Sequence, residues 1–279
     1  MKGQRMIRMV KRDAISSKKQ WMIRGIALAG ALLAGAFLIL SLGHNPLAVY
    51  KDMLAGALGT PTVRRETVKL AVPLLITAIG ISFAFQMRFW NIGAEGQILM
   101  GAVCAGYFAF FQYDSLPRPL LILVMMLAGM IGGGIYGMIP ALFKAKWGTN
   151  ETLFTLMLNY IALAFIKYLK NGPWKAPHSQ FPKMAMLDDR ARLGKILGVH
   201  WGWILALVLV VLAYFYFTKT KQGYEISVVG ESTDTARYAG IPVSFVLIRT
   251  MILSGALAGL AGMLQVAGSD YTITESTAG

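Results

Sequence analysis

Long stretches almost without charge recur along this chain, and they constrain its fold more than any other feature. They run from Gly25 to Leu42, about Lys69 to Phe85, a start within Asn91–Gln97 to Phe111, Leu120 to Phe143, Thr152 to Ile166, Trp201 to Thr218, and Thr250 to Ala267. An α-helix needs about 20 apolar residues to cross a bilayer, so the shorter runs must borrow from their flanks. Hydrophobic residues make up 56% of the chain and charged residues 14%. A soluble domain carries about a quarter charged residues, so this chain lacks the polar surface to cover itself in water. An ordinary soluble enzyme and a disordered chain are both excluded. The expected fold is all-α, a polytopic helical membrane protein with about seven transmembrane helices. Ser41-Leu42-Gly43 could pass for a signal-peptide cleavage site. The apolar run before it exceeds the usual h-region of about 7–15 residues, so a retained anchor is expected.

The net charge of +14 could suggest nucleic acid. Its distribution says otherwise. Lys2, Arg5, Arg8, Lys11, Arg12, Lys18, Lys19 and Arg24 precede the first apolar run, opposed only by Asp13. Such a block is a topology signal facing the cytoplasm and its anionic lipids, and no nucleic-acid motif accompanies it. Residues 1–24 therefore read as a basic cytoplasmic tail and 25–279 as a transmembrane domain in the cell membrane. Alternation then places 170–200 outside, as a loop with Pro173, Pro177 and Pro182, and 219–248 inside. A short interfacial helix is expected around Leu187–Leu197, and a surface helix over Asn45–Leu58. No internal repeat is visible.

Catalytic and metal signatures are missing. The only cysteine is Cys104, and His44, His178 and His200 are scattered. Gly194-Lys195 lacks the rest of a phosphate-binding loop, and neither H-E-x-x-H nor G-x-S-x-G occurs. No cofactor, metal or enzymatic activity is expected.

Three features carry more information. Gly129, Gly133 and Gly137, and then Gly255 and Gly259, recur at four-residue spacing, which lets membrane helices approach closely. Asn91-Ile92-Gly93-Ala94-Glu95-Gly96-Gln97 sets polar groups and glycines between apolar runs. It reads either as a broken helix lining a cavity or as a tight cytoplasmic turn, with Asn91 as a helix cap and Glu95 near the positive end of the dipole. Asn159, inside the fifth run, is expected to make an interhelical hydrogen bond. Between the last two runs, Ser232-Thr233-Asp234 starts a helix of little more than one turn over Thr235–Ala239, which Gly240 and Pro242 stop. That element suits docking to a partner or a plain connector.

These residues carry a resemblance. Asn91–Gln97 followed by Leu99-Met100-Gly101-Ala102 resembles the signature of permease subunits of bacterial ABC importers of the nucleoside and simple-sugar branch, related to ribose and branched-chain amino acid permeases. Asn150-Glu151 with Leu156–Ala162, and Gly172-Pro173, are similar to further stretches of that branch. Val229-Gly230 and Ala236-Arg237-Tyr238-Ala239-Gly240-Ile241 resemble its cytoplasmic coupling segment. Glu231-Ser232-Thr233 departs from the Asn and Pro that members often carry there. The resemblance implies a permease that moves a nucleoside or simple sugar and has no ATP site of its own. It implies an ATP-binding ABC subunit, a second permease subunit (identical or different) and an extracytoplasmic substrate-binding lipoprotein as partners. It also implies further helices beyond Gly279. The alternative class is an ion-coupled secondary transporter or channel without an ATPase, for which Glu95 is the one good candidate group.

Overall fold

In the computed structural model, which describes residues 16–177 and 179–279, every uncharged stretch is helical. Lys2, Arg5, Arg8, Lys11, Arg12 and Asp13 of the basic block, and His178, lie outside the described residues. Contacts divide the chain between Arg64 and Arg65 into two units.

The first unit holds α1 (Ser17–Ser41) and α2 (Pro46–Leu58). Helix α1 starts early enough to take in Lys18, Lys19 and Arg24, and none of its residues is buried. Helix α2 forms where the surface helix is expected. The Asn45 side chain accepts from the Leu47 N–H at 3.0 Å and Pro46 opens the first turn, two ordinary helix-start devices. Tyr50 donates to the Leu32 carbonyl at 2.7 Å and fastens α2 to α1.

Next come α3 (Pro61–Gln86), α4 (Ala94–Phe111), α5 (Arg118–Trp147), α6 (Glu151–Asn171), α7 (Gly202–Lys219), α8 (Lys221–Glu231), α9 (Thr233–Tyr238) and α10 (Val243–Gln265). Among the described residues, seven helices are long and apolar enough to cross a membrane: α1, α3, α4, α5, α6, α7 and α10. Most outrun their uncharged stretches because the charges at their ends are accommodated. Helix α5 continues past Lys144 and Lys146, which suit the negative end of its dipole, and stops at Gly148 with φ 65°. Helix α10 begins well before Thr250, because Arg249 is paired with Glu225 at 3.1 Å.

In the second unit α4, α5 and α10 pack against one another, and the packing of α10 is backbone on backbone. A Cβ added to Gly259 would overlap the Gly129 carbonyl, and one on Gly255 or Gly133 would overlap the carbonyl of the other. Gly137 lies 2.8 Å, as an ideal Cβ, from the Met251 carbonyl. Gly101 and Gly262 repeat the pattern between α4 and α10. Lipid tails give helices no hydrophobic reason to associate, so close dispersion contact between small residues does that work.

The 172–201 connection departs from expectation. No helix forms around Leu187–Leu197. A 3-10 turn covers Asp189–Ala191, and β1 (Lys195–Ile196) pairs antiparallel with β2 (Val199–His200). Two causes are visible. Leu197 and Gly198 take positive φ, 56° and 83°, which suits a two-residue hairpin turn and breaks a helix. The Leu187 and Leu193 N–H groups donate to the Tyr271 and Ala267 carbonyls, at 2.8 and 2.9 Å, instead of to their own turn. The segment is thereby tied to the end of α10, where a π-turn over Val266–Asp270 leads to Tyr271 at φ 55°. His200 is fully buried, and burial, reinforced by the charge of Lys69, lowers its pKa to about 4. It is neutral at physiological pH.

The glycine seam predicts a size threshold. Gly259→Leu should destabilise the purified protein by about 1–3 kcal/mol or more, because the seam cannot open without losing contacts on both helices. Gly30→Leu, at a glycine with open space around it, should leave the melting temperature in detergent unchanged. Equal effects of the two would show that the seam does not hold the helices.

Candidate functional site

Helix α4 begins without a capping side chain. Its N-cap is Gly93, not Asn91, so the first-turn N–H groups have no local acceptor. Asn91 sits two residues earlier and its Oδ1 accepts from the Gly93 N–H at 3.0 Å, closing the turn from Gln86 into α4. The missing cap comes from another helix. Asn159 of α6 accepts from the Gly96 N–H at 2.8 Å through Oδ1 and donates to the Ile92 carbonyl at 3.0 Å through Nδ2. One amide thus satisfies an orphan donor and an orphan acceptor at once.

The two glycines of the motif make this approach possible. A Cβ on Gly96 would lie 2.9 Å from Asn159 Oδ1, and one on Gly93 would lie 2.9 Å from the Thr155 side chain. Tyr136 of α5 donates to the Leu158 carbonyl at 2.7 Å, holding α6 in place beside the cap. On the other side, Asn91 Nδ2 donates to Gln97 Oε1 at 3.2 Å and to Ser254 Oγ at 3.5 Å, and Gln97 Nε2 donates to Asn91 Oδ1 at 3.3 Å. Four helices therefore meet at one polar cluster.

The cluster lies inside the bundle. Asn91, Gln97, Asn159 and Ser254 are 2%, 2%, 4% and 1% exposed. Asn159 follows the start of α6 at Glu151, and Ser254 follows the start of α10 at Val243. At a rise of about 1.5 Å per residue they lie about 12 and 16 Å along their helices. Asn91, Gly93, Ala94, Gly96 and Gln97 are buried against neighbouring helices, while Trp90 and Ile92 are exposed, so the segment is a turn between α3 and α4 with one packed side. Glu95 is half-buried in the first turn and makes no hydrogen bond or ion pair among the described residues. Every member of the cluster is neutral, with amide and hydroxyl groups that both donate and accept. Its members hydrogen-bond to one another and to nearby backbone, and it contains no proton-exchanging group.

Sequence reasoning missed Ser254 and Tyr136. Both adjoin a packing glycine, Gly255 and Gly137, so a polar residue beside the glycine stripe was the available signal. The five stripe glycines lie in the α5–α10 seam, and Gly137 also makes room for Gln97, whose Nε2 is 3.4 Å from an ideal Cβ there.

The second candidate element is α9. Ser232 caps it, accepting from the Thr235 N–H at 3.2 Å, and Gly240 ends it at φ 77°. Arg237, Tyr238, Ala239 and Gly240 are exposed, Tyr238 at 97%, and Ile241 is half-buried. Ala236 is fully buried against the chain, so it is not part of an outward-facing surface as the sequence reading expected. Arg237 lies 3.7 Å from Asp234, both well exposed. Helix α8, unforeseen as a helix, buries Gly223, Ile226, Val229 and Gly230 at helical spacing. Its contact with the α3 end is again backbone-close: a Cβ on Gly230 would overlap the Gln86 carbonyl, and Gln86 donates to Ser227 at 3.1 Å.

Known proteins fit this architecture. The family described as branched-chain amino acid transport system / permease component matches residues 66–278. The nucleoside ABC transporter permease protein NupB of Lactococcus lactis subsp. cremoris is 34% identical over 257 residues, which are 86% of this chain and 68% of that protein. The glucose ABC transporter permease protein TsgB13 of Haloferax volcanii is 32% identical over 265 residues, 89% of this chain and 69% of its own. The guanosine ABC transporter permease protein NupP of Bacillus subtilis is 30% identical over 255 residues, 88% of this chain and 71% of its own. No solved structure matches. With the matched region running from the α3 helix through the polar cluster and α9 to the end of α10, the chain belongs to the permease-component family of branched-chain amino acid transport systems and is a multi-pass membrane permease.

Proposed function

We propose that this permease is the membrane subunit of an ATP-driven importer whose solute is a nucleoside, with a simple sugar as the next choice. Names of the relatives support the solute class: NupB and NupP are nucleoside and guanosine permeases, and TsgB13 is a glucose permease. The solute passes beside the neutral cluster of Asn91, Gln97, Asn159 and Ser254, whose amides can exchange hydrogen bonds with hydroxyls and ring nitrogens. ATP is hydrolysed by a separate ABC subunit. A second permease subunit completes the path, and an extracytoplasmic binding protein delivers the solute to the 172–201 segment.

One observation carries the mechanism. The α8–α9 segment rests on the end of α3, Gly230 against the Gln86 backbone and Ser227 accepting from the Gln86 side chain, where α3 turns toward Asn91. A movement of α9 driven by a docked ATPase therefore reaches the turn before α4 through α8, by way of the close Gly230–Gln86 backbone contact. The Glu225–Arg249 pair links the same segment to α10. An ATPase can bias the path only if its docked states distinguish two arrangements of these elements, and this linkage supplies the means.

In a Cys104→Ser background, a cysteine at Tyr238 should label only after cells are permeabilised, and one at exposed Met186 should label from outside; the reverse pattern would invert the topology, in which the N-terminus is cytoplasmic. Ala239→Glu and Gly240→Val should reduce recovery of the ATPase subunit with the tagged permease while leaving membrane insertion intact, since a side chain in the left-handed region costs about 1 kcal/mol or more. Undiminished recovery and uptake in both would reduce α9 to a connector. Asn159→Leu should lower stability by about 1–2 kcal/mol and abolish uptake in membranes where the complex still assembles. Retained uptake would remove the cluster from the path.

A further inference from the structure

The end of the bundle that holds the 172–201 segment carries a cavity of about 440 Å³. That falls within the range of about 300–1,000 Å³ common to small-molecule sites. Phe110 and Phe111 from the end of α4, Tyr113 just beyond it, and Trp174 after α6 line it, with Lys175 and Asp188. The ring pairs in its wall are edge-on: Phe110 to Trp174 at 73° with centroids 5.5 Å apart, and Phe111 to Trp174 at 67° and 5.8 Å. None of these pairs is a parallel stack. Lys175 enters no ion pair among the described residues, and Asp188 uses one oxygen, Oδ1, to accept from the Arg190 N–H at 2.9 Å. An aromatic-lined cup with a cation and a carboxylate at its wall suits a nucleoside, a planar heteroaromatic base carried on a hydroxyl-bearing sugar. Stacking of a base on an aromatic side chain is tolerant of which base it is, because every base has a π-face.

We infer that this cup is an entry site where a nucleoside is held by its base after delivery and before it reaches the buried cluster. The inference rests on the nucleoside reading above. The cup is also well placed to report its occupancy. Its Ala185 and Met186 wall is fastened to the end of α10, through Thr272 Oγ1 donating to the Ala185 carbonyl at 3.2 Å and the Leu187 N–H donating to the Tyr271 carbonyl. An occupant pressing on that wall acts on the same helix whose Ser254 joins the buried cluster.

The test uses the complex co-purified through a tag on this chain and placed in nanodiscs, with no delivery protein. The permease carries Cys104→Ser and Met186→Cys, the latter at an exposed wall position. Guanosine at millimolar concentration should slow maleimide labelling of the new cysteine, and ribose should not. Trp174→Leu should raise the guanosine concentration needed about tenfold. Phe111→Leu, at a ring 52% exposed, should raise it in the same direction. Labelling unaffected by guanosine, equal protection by ribose, or unchanged protection in both variants would overturn the site. Guanosine uptake by the same complex, reconstituted with its delivery protein, separates the two readings. Uptake without protection removes the entry site alone. Absence of uptake for every nucleoside removes the nucleoside reading and the site with it.

Discussion

The contact of glycine backbones along α10 is the constraint on which the rest of the second unit depends. Gly255, Gly259 and Gly262 let α10 approach α5 and α4 until carbonyl and Cα atoms touch. In lipid, such contact replaces the hydrophobic drive that would hold a soluble bundle together. It also sets distances. Ser254 can reach Asn91, and Gln97 can lie against Gly137, only because the helices carrying them are this close. A side chain in the seam would separate the polar groups as well as the helices.

Within that frame, the start of α4 illustrates how a membrane protein packs the turn between two of its helices against their neighbours. Ending α3 at Gln86 and starting α4 at Ala94 frees backbone donors and acceptors, and those buried against neighbouring helices need partners within the protein. Gly93 and Gly96 carry no side chains to shield these groups, and so Asn159 can reach both sides of the break from α6. The result is polar but uncharged. That suits passage of a neutral solute, and it leaves Glu95 apart from the hydrogen-bonded cluster, a position that does not favour proton coupling.

The two ends of the bundle are organised differently. At one end short helices with defined caps, α8 and α9, press a glycine against the turn before α4. At the other, hydrogen bonds from an irregular segment close onto the π-turn after α10. Both ends thus act on elements that meet at the same cluster, one through α3 and α4 and the other through α10. Irregular backbone at the loop end is held by the Ala267 carbonyl of the π-turn and the Tyr271 carbonyl just after it.

The sequence alone determined the number and order of the spanning helices, because bilayer thickness and the cost of unpaired backbone groups leave a charge-poor chain no other solution. It also marked α2, through Asn45-Pro46, and the limits of α9, through Ser232 and Gly240, since capping is local chemistry. The stripe glycines were legible as packing residues by their spacing. What the tertiary structure decided was everything that needs a partner distant in sequence. Asn91–Gln97 could be a buried break or a wet turn until Asn159, Ser254 and Tyr136 were brought to it. Leu187–Leu197 looked helical until its Leu187 and Leu193 N–H groups were drawn to carbonyls just after α10. Ala236 stood available for docking by its local pattern until the fold turned it inward. In each case the local signals were balanced, and hydrogen bonds or packing from another helix tipped them.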